Sequence, residues 1–273
     1  MSWLFDPPTP PGNDSRALAY GDGVFTTAAI RAGDLLFRDR HIRRLQRGCE
    51  RLGMLAPTRE RIERLVDTSL HQSATRAGMA KVIAYRPGQK RGYRPSANEA
   101  PHLGARCYPL VDADEWPELK PMRVGLASMR WAVQPALAGI KHLNRLEQVL
   151  AAAEIGTCDD VLCRDTEGQV VSATSANVFA VVADALQTPA VDTAGVAGVT
   201  RAAVIAICER DAIPVEITAL AHDDLIRCSE MFVTSSRYGI RPVTVFADRD
   251  LSVGPVTRDL HRRLLREALP CVG

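Results

Sequence analysis

The chain has 273 residues, of which 46% are hydrophobic and 24% are charged, as in an ordinary globular protein. This composition excludes a disordered, collagen-like or coiled-coil chain, and the length fits one large domain or two small ones. The formal net charge of +2, from 34 basic and 32 acidic residues, gives no indication of a nucleic-acid or membrane partner.

Targeting and cysteine usage both indicate a cytoplasmic protein. The first twenty residues lack the basic and then apolar pattern of a secretory signal, and no run approaches the roughly 18 apolar residues of a membrane helix. The seven cysteines are scattered and form no C-x-x-C pair, which argues against a disulfide framework and against a zinc site. We therefore expect reduced thiols and no metal.

Hydrophobic periodicity predicts strands and helices in the first part of the chain. Within the first strand, Val24, Thr26 and Ala28 should share one face, while Phe25 and Thr27 lie on the other. The elements predicted here are a strand over 23–31, helices over 39–53 and 58–74 with Thr58 as N-cap, and strands over 79–85 and 103–110.

The second part of the chain shows the same mixture. Its predicted elements are a strand over 123–129, a helix over 144–155, apolar runs over 159–163, 169–173 and 177–182, a helix over 199–210, strands over 214–217, 230–235 and 240–247, and a helix over 256–268. We expect an N-terminal domain over 1–112, an acidic, proline-containing linker over 113–122 and a C-terminal domain over 123–273. Two mixed α/β domains of class α+β follow.

Lysine is scarce, so chemistry that depends on lysine has few candidate positions. Thirty of the 34 basic residues are arginines, and Lys81, Lys90 and Lys120 are predicted to be solvated. Lys141 follows the apolar stretch PALAGI and precedes the helix-like HLNRLEQVL. Burial beside apolar groups lowers the pKa of an ammonium, which suits a nucleophilic amine. A lysine whose head group extends from a partly buried segment to water is the alternative interpretation.

Three segments carry residues that suit an anion. GVAGVTR over 195–201 leads into a helix, where free N–H groups and the helix dipole attract negative charge. VTSSR over 233–237 brings three hydroxyls and an arginine to a strand end, and Arg44 of HIRRL lies at the edge of an apolar helix stripe. An ordinary loop-to-helix junction, a polar turn and a surface arginine are the respective alternatives.

Taken together, seven segments resemble, in order, the fold-type IV pyridoxal-phosphate enzymes. That family includes branched-chain aminotransferases, D-amino-acid aminotransferases and aminodeoxychorismate lyases. The resemblance covers roughly residues 15–245, and the run KHLNRLEQVL is similar specifically to the lyases. The segments are YGDGVFTTAAI (20–30), HIRRL (41–45), RGY (91–93), AGIKHLNRLEQVLAAAE (138–154), VVSATSANVF (170–179), TPAVDTAGVAGVTR (188–201) and EMFVTSSRYGIRPV (230–243).

The resemblance implies the family's two-domain fold and pyridoxal 5'-phosphate as cofactor. It implies that Lys141 binds the cofactor through its amine and then transfers protons, and that Arg44 contacts the cofactor phosphate. Further contacts with phosphate or substrate are implied for four residues: Val199, Thr200, Ser235 and Ser236.

One position departs from the family pattern. The family usually carries a glutamate in V-x-E-x-x-x-x-N-x-F, where it pairs with the pyridine nitrogen, and VVSATSANVF places Ser172 there. A hydroxyl cannot stabilise a protonated ring nitrogen as a carboxylate does, so the cofactor would be a weaker electron sink. We interpret Ser172 as favouring a lyase over an aminotransferase, because formation of an aromatic product drives the lyase reaction.

The activity implied by the resemblance is conversion of 4-amino-4-deoxychorismate to 4-aminobenzoate and pyruvate, a step of folate synthesis, by a homodimer. The substrate carries two carboxylates, for which Arg91, Arg237 and Arg130 are the candidates, in that order. Phe25 and Thr27 are candidates to line the ring pocket. Two alternatives stay open: a branched-chain or D-amino-acid aminotransferase of the same fold, and a non-catalytic descendant.

Overall fold

The computed structural model describes residues 2–88, 92–110 and 118–269, which divide into two compact units. The first contains the described residues of Met1–Ala113 together with Ile140–Asn144, and the second contains those of Asp114–Gly139 and Arg145–Gly273. Each unit combines a sheet with helices, which confirms the α+β fold class. The predicted boundary at 112–113 and the predicted linker up to residue 117 lie outside the described residues.

The first unit is an antiparallel sheet with two long helices. The strand order, β1-β5-β4-β2-β3, places β2 between β4 and the short β3. Side chains of β2 such as Val24 and Ala28 are buried in one core with Ile42 and Leu45, which confirms the predicted strand faces. Its elements are β1 (Leu4–Asp6), α1 (Arg16–Tyr20), β2 (Gly23–Arg31), β3 (Asp34–Leu35), α2 (Arg38–Arg51), α3 (Arg59–Ser73), β4 (Gly78–Tyr85) and β5 (His102–Pro109).

Local signals explain which of these elements were predicted. The hydroxyl of Thr58 accepts a hydrogen bond from the backbone N–H of Arg61, so the predicted N-cap of α3 is confirmed. The first strand predicted from the sequence starts at residue 23, but the chain already contains β1, whose three residues pair with β5. Such a short strand depends on a distant partner and leaves no periodic pattern in the sequence.

A short segment outside the N-terminal part of the chain completes the first unit. The backbone N–H of Phe25 donates to the carbonyl of Lys141 at 2.8 Å, and the N–H of Leu143 donates to the carbonyl of Gly23 at 2.9 Å. Residues 140–144 therefore lie along β2 as an added strand-like segment. The expectation assigned Lys141 to the C-terminal domain, whereas these backbone hydrogen bonds join it to the first unit.

The second unit is a larger mixed sheet with four helices among its described residues. Its strand order is β11-β10-β9-β12-β13-β6-β7-β8, and β14 pairs with β13. Its elements are β6 (Met122–Trp131), α4 (Leu146–Ala152), β7 (Asp160–Asp165), β8 (Val170–Ala173), β9 (Asn177–Val182), β10 (Ala185–Pro189), α5 (Val199–Arg210), β11 (Val215–Thr218), α6 (His222–Arg227), β12 (Glu230–Ser235), β13 (Gly239–Phe246), β14 (Arg249–Asp250) and α7 (Pro255–Ala268).

Helix α4 is shorter than the predicted helix over 144–155. It begins at Leu146, since the residues up to Asn144 belong to the segment that follows β2. Its apolar residues Leu146, Val149 and Leu150 are exposed by 55% to 75%, which is unusual for a helix of a compact unit. No helix among the described residues combines the length and apolar character needed to cross a membrane.

Candidate active site

Lys141 is held beside β2 by its own backbone. Because its carbonyl accepts the N–H of Phe25, the two residues are direct neighbours across the strand-like pairing, and their side chains share a face. The Lys141 Nζ atom lies 4.8 Å from the centroid of the Phe25 ring, in cation–π geometry. The structure thus brings together the predicted catalytic lysine and one predicted pocket-lining residue.

A second lysine reaches the same ring. Lys81 of β4 pairs with Thr27 of β2, and its Nζ lies 4.6 Å from the Phe25 ring centroid. Burial lowers the pKa of Lys81. The expectation that Lys81 is solvated is wrong, because the strand register turns this side chain toward the face that carries Phe25 and Thr27.

Arg44 is anchored from the opposite face of β2. Its Nη2 donates to the hydroxyl of Thr26 at 2.5 Å, and that hydroxyl lies 2.7 Å from Nδ1 of His41. Removal from water lowers the pKa of Arg44 to about 10. The pKa of His41 lies well below its usual value because of burial and, less strongly, the charges of Arg44 and Lys141. His41 is therefore neutral at physiological pH.

The surroundings of Arg44 differ from those of the arginines that pair with carboxylates. Among the described residues it forms no ion pair, and its Nε is buried without a hydrogen-bond partner. Five other arginines of the first unit do contact carboxylates: Arg16, Arg38, Arg59, Arg61 and Arg86. A desolvated guanidinium with only a neutral hydroxyl as partner fits a ligand that brings its own negative charge, such as a phosphate.

In the second unit, two buried hydroxyls have no partner among the described residues, one of them in the first turn of α5. The helix begins after Gly198 with no side-chain cap from the described residues, and the unpaired hydroxyl in its first turn is that of Thr200. Asn177 donates to the carbonyl of Val196 at 2.9 Å and pairs across the sheet with Thr234, which carries the second unpaired hydroxyl. Free helix N–H groups and unpaired hydroxyls fit an anion.

The other predicted phosphate contacts lie on two segments of this unit. Val199 is the buried first residue of α5. Ser235 ends β12, and its hydroxyl accepts the backbone N–H of Arg237 at 3.3 Å in the turn that contains Ser236. The turn therefore presents hydroxyls at a strand end, as the sequence predicts.

Ser172 is buried on β8. Its hydroxyl donates to the carbonyl of Ala173 at 2.8 Å, so its proton is already used. The Ser172 oxygen can therefore only accept a further hydrogen bond, at the position where the family pattern has a carboxylate.

The three arginines predicted to bind the substrate carboxylates differ in their surroundings. Arg91 lies outside the described residues, and Arg237 is exposed. Arg130 of β6 lies opposite Arg164 of β7, and each has a buried nitrogen that finds no partner in the described part of the chain. Burial and the charge of Arg130 lower the pKa of Arg164. This pair of cations suits a carboxylate.

Four residues near the candidate site were not predicted from the sequence to belong to it: Thr26, His41, Lys81 and Asn177. Thr26 and His41 belong to the quoted motifs FTT and HIRRL, and Asn177 to SANVF, so the motif positions themselves were the available signal. Their roles depend on pairings between β2 and α2 and between β9 and β12, which no local pattern specifies.

Comparison with known proteins identifies the family of the chain. Residues 23–246 match the family described as amino-transferase class IV. The chain is 30% identical to an aminodeoxychorismate lyase of Vibrio harveyi, over 91% of this chain and 93% of that protein. It is 27% identical to a D-alanine aminotransferase of Bacillus licheniformis, over 94% and 91% of the two chains.

A solved structure extends the likeness to three dimensions. The crystal structure of a 4-amino-4-deoxychorismate lyase from Pseudomonas aeruginosa aligns with a TM-score of 0.87 and 33% identity, covering 98% of this chain and 99% of that one. The family match spans most of the sequence, from the first residue of β2 to the last residue of β13. The chain therefore belongs to the amino-transferase class IV family.

Proposed function

We propose that this protein is a lyase that converts 4-amino-4-deoxychorismate to 4-aminobenzoate and pyruvate, a reaction of folate synthesis. The observation that carries the proposal is Lys141, which lies in the lyase-like run KHLNRLEQVL with its amine over the Phe25 ring. Similarity to proteins named aminodeoxychorismate lyase, at 30% and 33% identity over nearly the whole chain, supports it.

Pyridoxal phosphate is the cofactor of this enzyme family, and each unit, taken by itself, offers residues that suit a phosphate. In the first unit, Arg44 is a desolvated cation that pairs with no carboxylate of the described residues. In the second unit, Val199 and Thr200 at the uncapped start of α5, with Ser235 and Ser236, offer N–H and hydroxyl donors. When bound, the cofactor accepts the electron pair of the carbon that bears the substrate nitrogen.

Lys141 performs the proton transfers in this proposal. Once its amine is free, Nζ accepts the proton of the ring carbon that carries the substrate nitrogen, as a general base. The protonated Nζ then donates to the departing enolpyruvyl oxygen, which leaves as the enol of pyruvate. Loss of that group makes the ring aromatic, so one lysine serves as base and then as acid.

The substrate carboxylates require cationic partners. Lys81 lies with Lys141 over the Phe25 ring, and Thr27 is its cross-strand neighbour, so this face joins a lysine to residues predicted to line the ring pocket. Arg130 remains a candidate because its buried Nη1 has no hydrogen-bond partner within residues 2–88, 92–110 and 118–269. Arg91 and Arg237 remain candidates from the sequence.

The experiment measures pyruvate release from 4-amino-4-deoxychorismate by the purified protein supplied with pyridoxal phosphate. We expect turnover by the unmodified protein and none by Lys141→Ala. Keto-acid-dependent amino transfer, assayed in parallel, should be far slower. A protein that transfers amino groups rapidly but releases no pyruvate would overturn the proposal, as would one that shows no visible absorption band from lysine-bound cofactor.

A second candidate function is transfer of amino groups from D-amino acids. The observation in its favour is the 27% identity to a D-alanine aminotransferase over 94% of this chain. Ser172 argues against it, because a neutral hydroxyl that already donates to a backbone carbonyl stabilises a protonated pyridine nitrogen less than a carboxylate does. The parallel assay separates the two.

The assembly we propose is a homodimer in the cytoplasm. The exposed apolar residues of α4, Leu146, Val149 and Leu150, offer a surface that a second copy would cover. The six cysteines among the described residues are free thiols, as a reducing compartment favours. Sedimentation of the purified protein tests the dimer, since a monomer at micromolar concentration would exclude it.

A further inference from the structure

We infer that Thr26, oriented by His41, is a positioning residue that sets the place of the Arg44 guanidinium for the phosphate of the cofactor. The inference rests on the proposed role of Arg44 in binding that phosphate. It concerns a buried hydroxyl that would touch neither cofactor nor substrate, and that acts through Arg44.

The geometry places one hydroxyl between two residues of one helix. His41 and Arg44 are separated by three positions on α2, so they lie on adjacent turns of the same face. Thr26 projects from β2 toward that face, with its Oγ1 2.5 Å from Arg44 Nη2 and 2.7 Å from His41 Nδ1. Thr26 and His41 are exposed by only 3% and 2%, so water does not substitute for either partner.

One proton arrangement satisfies all three groups. A guanidinium only donates, so the Thr26 oxygen accepts from Arg44. In the neutral His41 tautomer whose ring proton is on Nε2, Nδ1 accepts the hydroxyl proton of Thr26. Burial and the nearby positive charge of Arg44 favour that neutral form. Each of the three groups thereby fixes the direction of the next.

Thr26 and neutral His41 carry no charge that would offset the charge of Arg44, which matters for anion binding. A carboxylate in place of the Thr26 hydroxyl would neutralise Arg44, whereas a hydroxyl orients the guanidinium and leaves its full charge for a ligand. Arg44 Nε is buried and donates to none of the residues that the structure describes, so part of the donor capacity of the guanidinium is still unused. Arg43, the preceding residue, is exposed and offers a matched control for the loss of a positive charge.

The experiment compares the affinities of the cofactor-free protein for pyridoxal phosphate and for pyridoxal, which lacks the phosphate. For Thr26→Val, which keeps the side-chain shape but removes the hydroxyl, we expect about a tenfold loss for pyridoxal phosphate. The affinity for pyridoxal should change less than about threefold, since it presents no phosphate to Arg44. Thr26→Ser, which restores the hydroxyl, should recover the phosphate preference, and Arg43→Ala should leave it unchanged.

A double-mutant cycle completes the test. In an Arg44→Ala background, Thr26→Val should cause no further loss, because the two residues act as one unit. Equal losses for both ligands, or an unchanged preference in Thr26→Val, would refute the positioning role while leaving the proposed function intact. If the unmodified protein bound neither ligand, the proposed function would fail together with this inference.

Discussion

Lys81 and Lys141 place their ammonium groups over the same aromatic ring, at 4.6 and 4.8 Å from the centroid of Phe25. The two lysines come from different partners of β2: Lys81 from β4 and Lys141 from the segment 140–144. Lysine is rare in this chain, with four residues in 273, and two of the four meet here. A ring whose face attracts cations therefore lies beside both amines: the one proposed to transfer protons and the one proposed to meet the substrate.

The amine of Lys141 should be irreplaceable. Lys141→Ala and Lys141→Arg should both abolish the visible absorption band of the bound cofactor and reduce turnover by at least about a thousandfold, because guanidinium does not lose its proton near neutral pH. Lys120, whose side chain is exposed, provides the control. Lys120→Ala should keep both signals within about twofold. A normal absorption band in Lys141→Arg would contradict the assignment.

Lys81 should act on substrate binding rather than on the cofactor. For Lys81→Met, which keeps much of the apolar stem, we expect KM for 4-amino-4-deoxychorismate to rise about tenfold, as a lost charged hydrogen bond implies. The absorption band should persist, and Lys81→Arg should recover most of the affinity because its charge is retained. Steady-state kinetics with a spectrum of each variant provide the measurement. Loss of the band in Lys81→Met would instead place Lys81 in cofactor binding.

The strands and long helices of this chain follow closely from local patterns, whereas the site depends on pairings between distant segments. Thr58 caps α3 and the alternation in β2 buries Val24, both as the sequence predicts. The position of Lys81 could not be predicted from a local pattern. Its neighbour across the sheet, Thr27, is determined only by the pairing of β2 with β4. The short β1 has the same dependence on β5.

The family motif makes Lys141 and Arg44 candidates, but it does not show how Arg44 differs from the arginines that pair with carboxylates. Arg44 is desolvated and forms no ion pair among the described residues, which only the folded neighbourhood reveals. Thirty arginines in the chain make any single one weak evidence in the sequence. The fold distinguishes them by partner, since five others in the first unit contact Asp or Glu.

We expect a glycine to be required at position 198 because a side chain there would clash with its surroundings, and not because of the backbone angles. Its φ of −66° suits any residue, but a Cβ there would lie 2.0 Å from Oδ1 of Asn177. Gly198→Ala should therefore lower the free energy of unfolding by about 1–3 kcal/mol and weaken pyridoxal-phosphate binding. Chemical denaturation measures the first effect and cofactor titration the second.

Shortening the clashing side chain gives the control for this prediction. In an Asn177→Ala background, the same Gly198→Ala change should cost less than about 0.5 kcal/mol, because the nearest contact is gone. An equal cost in both backgrounds would show that the clash with Asn177 is not the cause.

Ser172→Glu tests whether the missing carboxylate sets the reaction. Without cofactor, a glutamate at this buried position would have no cation, and we expect a destabilisation on the order of 2–5 kcal/mol relative to Ser172→Ala. Pyridoxal phosphate should recover more stability in Ser172→Glu than in the unmodified protein, since a protonated ring nitrogen would pair with the new carboxylate.

In the same Ser172→Glu variant, keto-acid-dependent amino transfer should rise relative to pyruvate release. Thermal unfolding with and without cofactor, and the two assays in parallel, measure these effects. If the unmodified protein already transferred amino groups as fast as Ser172→Glu, a serine at this position would not explain a preference for the lyase reaction.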